Sequence, residues 1–149
     1  MKLKKVICIV ASLLICMNAT VLAAETQESH TETIAQSSTV QPKGRYLQRG
    51  GCSITPYNGY VRVNGYTDAF DDVSELTVKL SLLKEISSNC WIEVWSDTAT
   101  EYNTFHAAYP ATYVTVDRGY NYKIEATHTV KNAGLTETNY SETNRVYVN

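Results

Sequence analysis

The chain has 149 residues, 44% hydrophobic and 19% charged, with 7 Gly and 3 Pro, the balance of one ordinary globular unit with no room for two domains of normal size. With 13 Lys and Arg against 15 Asp and Glu, a formal net charge of -2, it lacks the positive field that backbone-driven nucleic-acid binding needs, so nucleic acid is not an expected partner. The 11 Tyr and 2 Trp against 2 Phe point to many half-buried positions, as on strands with one wet face.

Residues 1–23 have the three parts of a secretory signal: Lys2, Lys4 and Lys5, then an apolar run from Val6 to Met17, then Val21-Leu22-Ala23 as a small-residue cleavage site. The apolar run is shorter than the roughly 20 residues a spanning helix needs, so no stable membrane insertion is expected after cleavage. Ile15 ahead of Cys16 is not the small residue that lipoprotein processing wants. Cleavage removes three lysines and leaves 10 basic against 15 acidic side chains, a net charge of -5 that disfavours anionic membranes. It also leaves Cys52 and Cys90 as the whole thiol inventory. In an exported chain two cysteines suggest one disulfide, closing a loop of 39 residues and stabilising by about 4 kcal/mol in the chain-entropy model; two separate buried thiols are the alternative. Residues 24–44 are polar, without aromatics before Arg45, and read as a flexible, disordered leader.

The folded unit is expected over 45–149, where alternation at period two dominates and no helical stripe is present. A first strand is placed near Tyr46 to Ile54, then a turn at Pro56-Tyr57-Asn58-Gly59 and a strand from Tyr60 to Gly65 with Val61 and Val63 on one face. Leu76, Val78, Leu80 and Leu82 alternate with Thr77, Lys79 and Ser81 in the clearest half-buried strand. Cys90 to Trp95 alternates without showing which side is buried. Short strands follow near Tyr102 to Ala107 and Thr112 to Val116, then a long one from Tyr120 to Val130, a polar loop over Asn132 to Asn144, and a last strand from Arg145 to Val148. Seven or eight strands in this length predict an all-β, immunoglobulin-like antiparallel sandwich.

Asp117-Arg118-Gly119-Tyr120-Asn121-Tyr122 resembles the turn and strand of fibronectin type III and immunoglobulin-like domains, which implies that Tyr120 or Tyr122 is a corner tyrosine bonded to nearby backbone. The series Val61 to Thr67, Val78 to Leu83, Asn89-Cys90-Trp91, Gly119 to Lys123 and Glu137 to Ser141 is similar to a family of small secreted proteins of Gram-positive bacteria, a domain of unknown function. That resemblance implies secretion and supplies no catalytic residues.

The search for chemistry finds few constellations. His106 and His128 have no paired spacing for a metal, no G-x-S-x-G surrounds a serine, and Cys52 lacks papain-like surroundings. Asp68, Asp71, Asp72 and Glu75 read as a solvated acidic turn rather than a cation loop, so no metal or cofactor is expected. Trp91 and Trp95 share strand parity, roughly 13 Å apart on a regular strand, and with Glu93 between them could stack on alternate sugars. Core packing of either indole is the competing expectation. Tyr57, Tyr60 and Tyr66 form a second candidate surface. The sequence thus predicts a secreted, noncatalytic binding domain at or near the cell surface, with cell-wall glycan or a surface protein as partner. A small secreted hydrolase would instead need a cleft joining His106 or His128 to an acid or a thiol.

Overall fold

The structure is a computed structural model, and the residues it describes are 35–36 and 44–149; the signal and most of the leader lie outside them. Nine strands occur among these residues: β1 (Ala35–Gln36), β2 (Leu47–Tyr57), β3 (Tyr60–Val73), β4 (Glu75–Ser87), β5 (Cys90–Glu101), β6 (Thr104–Thr115), β7 (Tyr120–Asn132), β8 (Leu135–Glu142) and β9 (Val146–Val148). Every pairing is antiparallel, in two sheets ordered β1-β2-β3-β6 and β5-β4-β7-β8, with β9 pairing β7 beyond the end of β8. The partner of β7 changes at Thr143, whose Oγ1 accepts the Ile124 N–H at 3.0 Å where no strand backbone does.

The alternating residues do what their period requires. Ile54, Val61 and Val63 of the first sheet meet Val78, Leu80, Leu82, Tyr122 and Ile124 of the second in one core, and each of these side chains is fully buried. Burial of each such aliphatic stabilises by roughly 1.5 to 3 kcal/mol, so a single register slip, which turns the whole set to solvent, is strongly disfavoured. A second cluster of Leu47, Ala69, Val73, Leu76, Ala107 and Val130 continues the interior. Gly65 leaves room there for Leu80, whose Cδ2 would lie 2.7 Å from a Cβ at that position.

Of the two tyrosines named above, Tyr122 makes the corner bond: its buried ring carries a hydroxyl that donates to the Asp117 carbonyl at 2.8 Å. Tyr120 lies outside, with Lys84 Nζ 3.5 Å from its ring centre. Tyr122→Phe keeps the packing and removes only this bond, so it is expected to lower stability by about 1 to 2 kcal/mol. In urea this reads as a lower midpoint at unchanged slope; an unchanged midpoint would mean that the bond contributes nothing.

Four expectations are corrected. The leader is not wholly structureless, since Ala35 is buried and pairs with Ile54 as an edge strand of the first sheet. The two short strands expected near Tyr102 to Ala107 and Thr112 to Val116 are one bulged strand, β6, over Thr104–Thr115. The polar stretch after Asn132 contains the full strand β8; its inward positions Glu137, Asn139 and Ser141 are polar, so no apolar alternation marks it. Glu137 earns that place by accepting three backbone N–H groups, from Arg45, Tyr46 and Leu47, at 2.7, 3.0 and 2.8 Å. Desolvation alone would raise its carboxyl, but these donors and Arg45 outweigh it and hold the group below the usual carboxylate range. Finally, no disulfide joins Cys52 to Cys90: Cys52 is buried between the sheets, whereas Cys90 is exposed where the β4–β5 hairpin turns.

Candidate functional site

β5 is an edge strand, and one irregularity on it decides the fate of the predicted aromatic platform. Trp95 pairs with Leu82, but the next pair is Glu93 with Leu83, so Val94 is an extra residue that reverses the side-chain parity. Trp95 therefore turns inward with Leu82 and packs edge-on against Tyr109 of the other sheet, ring centres 5.9 Å apart. Trp91 and Glu93 stay on the outer face of the second sheet, where Lys123 Nζ sits 5.2 Å from the centre of the Trp91 ring. The two indoles cannot form one platform, and the expectation of shared parity is corrected. Glu93 accepts hydrogen bonds from Ser81 and Ser96, which hold its carboxyl below the usual range.

The same outer face carries a shallow groove of about 430 Å³, lined by Ser81, Glu125, Thr127, Tyr140 and Glu142 together with Ala126 and Ser141. Register explains the convergence: Glu125 pairs with Glu142, and Thr127 with Tyr140, so these four side chains leave β7 and β8 on one side. Lys123 bridges the two carboxylates at 2.8 and 3.0 Å. Burial alone would lower its pKa, but the hydrogen bonds to Glu125 and Glu142 win and raise it, so the ammonium stays charged and keeps two like charges together. Tyr140 is 66% exposed, an aromatic ring at the border of hydroxyls and carboxylates. Lys123, Glu125 and Thr127 fall at alternate positions of the strand expected from Tyr120 to Val130, whereas Tyr140 and Glu142 were missed because β8 read as loop.

The remaining candidates lie apart. Tyr57 and Tyr60 stack with centres 4.9 Å apart and planes 9° from parallel, and Tyr113 meets both edge-on at 6.2 and 5.7 Å, on the outer face of the first sheet. Tyr66 is separate from them, under Arg49 at 5.8 Å. Asp68 is not in a loop but on β3, buried, with one oxygen 2.7 Å from Arg49 Nε and the other 2.6 Å from His106 Nδ1. Asp71 and Asp72 are exposed and Glu75 pairs with Lys131, so among the described residues no group of three or more His, Cys, Asp or Glu could hold a metal ion.

His128 is fully enclosed. Its Nδ1 lies 2.9 Å from Thr67 Oγ1, and because that hydroxyl donates to the Thr77 carbonyl at 3.0 Å, Nδ1 must carry the proton. Nε2 then accepts from Ser141 Oγ at 2.8 Å, and the same hydroxyl oxygen lies 3.5 Å from Cys52 Sγ. Burial pushes the imidazole pKa down to about 4, against a small opposing effect of the Tyr66 backbone, so the ring is neutral. The thiol and the histidine that a hydrolase would need are thus linked through Ser141, but both are buried in the core and neither lines the groove.

No family model, curated protein or solved structure matches the chain, so the similarity to secreted Gram-positive proteins rests on its quoted residues alone.

Proposed function

We propose that this chain is an exported, noncatalytic binding domain of immunoglobulin-like architecture that holds a cell-wall or other extracellular glycan on the outer face of its second sheet. The architecture is supported by the split of hairpins β2–β3 and β4–β5 between sheets, by the return of one later strand, β6 or β7, to each, and by the Tyr122 bond. The export signal supports the location. The observation that carries the ligand class is the groove itself: an exposed tyrosine beside paired carboxylates, a bridging ammonium and the hydroxyls of Ser81 and Thr127. A sugar ring offers C–H faces to an aromatic ring and hydroxyls to carboxylates, and this groove provides both partners within one register step. Trp91 with Glu93 extends the same face toward β5. That neither histidine lines the groove favours binding over hydrolysis.

The test is co-sedimentation of the exported chain with insoluble cell-wall sacculi, chitin and cellulose. Wild type is expected to pellet with at least one of them, and Tyr140→Ala to weaken binding about tenfold while melting at the wild-type temperature. Trp91→Ala should give a smaller loss. If no polymer retains wild type, the glycan reading is wrong; if Tyr140→Ala binds as wild type does, the site is elsewhere, and the Tyr57, Tyr60 and Tyr113 cluster becomes the surface to mutate.

A further inference from the structure

A second surface follows from the edge of the second sheet. Among the described residues β5 pairs only with β4, so its other side presents backbone groups without a strand partner over a strand of 12 residues. Natural edges of this length are usually blunted by lysine or proline, and Cys90–Glu101 contains neither. Its bulge at Val94 interrupts one end, but Trp95 to Glu101 pairs with β4 without a break over seven residues. Thr98 identifies which amides face outward. Its N–H donates to its neighbour's carboxylate, Asp97 Oδ1, at 2.8 Å, so it points away from β4, and the carboxylate stands where an incoming strand's carbonyl would dock.

The charge of this edge selects its partner. Glu93, Asp97 and Glu101 are its only charged side chains, all acidic; Asp97 Oδ2 accepts the Tyr109 hydroxyl at 2.7 Å, and none of the three forms an ion pair with another described residue within 4.0 Å. Two copies of β5 brought side by side would bring six carboxylates together, which disfavours self-pairing. Asp97 and Glu101 are four residues apart on one side of the regular run, roughly 13 Å, a spacing that cations at matching alternate positions of an extended strand can meet. Ile92 and Val94, each 43% exposed, add apolar contact just before it. We propose that β5 is a docking edge for an extended basic peptide segment, which joins the second sheet as an additional strand with its cations over Asp97 and Glu101. This proposal is independent of the glycan groove, whose lining it does not use.

The experiment measures fluorescence anisotropy of a labelled peptide of alternating lysine and valine, seven residues long, with the exported chain. Three comparisons define the result: the same peptide N-methylated at alternate amides, a glutamate–valine analogue, and a Thr98→Pro variant, which removes an outward N–H and no ladder bond. The unmodified basic peptide should bind at least about tenfold tighter than either altered peptide, and Thr98→Pro should remove that advantage. Glu101→Lys, an exposed change with no effect on the backbone, should weaken the basic peptide and strengthen the acidic one, and serves if the proline variant fails to fold. Equal binding of the N-methylated peptide would reduce the effect to charge attraction and overturn strand addition. No binding, or dimers of the wild-type chain lost in Thr98→Pro, would overturn it too. Tyr140→Ala should bind the basic peptide as wild type does, so failure of the groove and failure of the edge are distinguishable.

Discussion

Gly50→Ala is expected to destabilise the protein by about 3 to 5 kcal/mol, a large share of the roughly 5 to 15 kcal/mol that holds a domain together. Gly50 pairs with Thr67 and faces His128 so closely that a Cβ would lie 2.3 Å from ring atoms Cγ and Nδ1 and 2.6 Å from Cδ2. These are the base of the ring, not a flexible tip. Moving the ring away would break its bonds to Thr67 and Ser141, each buried and each leaving an unpaired polar atom behind. The expected reading is a melting temperature lower by on the order of 20 °C. Gly65→Ala is the control, because its nearest contact is the movable Cδ2 of Leu80, and it should cost clearly less. A double variant, Gly50→Ala with His128→Ala, should be less damaged than the two single losses added together, since removing the ring removes the clash. Additive losses, or a Gly50→Ala effect no larger than that of Gly65→Ala, would show that the ring is not the obstacle.

The fold was legible wherever one face of a strand is apolar. Leu76, Val78, Leu80 and Leu82 announced β4, and the strand expected from Tyr120 to Val130 is β7, buried at Tyr122, Ile124, Ala126, His128 and Val130, because antiparallel strands with one wet side write their burial at period two. β8 stayed hidden for the complementary reason. Its inward residues meet polar partners, Glu137 the amides at the start of β2 and Ser141 the ring of His128, and such matching depends on a distant segment that local composition does not show. The leader strand β1 is two residues long and is defined only by its pairing with Ser53 and Ile54.

The site was legible in part. Trp91 and Glu93 were placed on a common face, and that face is the exposed one. The Val94 bulge, which no alternation rule anticipates, turned Trp95 inward; period-two counting fails as soon as one residue goes unpaired. Cys52 and Cys90 were joined on the statistics of exported chains, but their separation depends on strand order: one lies at the centre of β2, the other at a hairpin tip of the opposite sheet. Tyr140 and Glu142 had no expected face at all until β8 gave them one.

The buried histidine should also set the acid limit of stability. In the fold His128 titrates near 4 because burial removes the water that would solvate an imidazolium, and no carboxylate is close enough to compensate; in the unfolded chain it titrates near 6.5. Below pH 6.5 the unfolded state therefore binds a proton that the folded state refuses. Stability is whole above that pH, declines as pH falls from 6.5 toward 4, and has lost about 3 kcal/mol once both states are protonated. Geometry makes this a cost of burial rather than of lost hydrogen bonds: a protonated Nε2 can donate to Ser141 Oγ, whose proton then turns to Cys52 Sγ. The lowered carboxyls of Glu85, Glu93, Asp97 and Glu137 act in the same direction but only at and below the ordinary carboxylate range, so among these groups only His128 acts over the interval from pH 6.5 to 5. His128→Gln, neutral at every pH and able both to donate and to accept, should be less stable than wild type at pH 7 yet lose nothing further across that interval. Urea midpoints measured every half unit decide it: wild type must fall while the glutamine variant stays level, and two parallel curves would mean that the proton goes somewhere else.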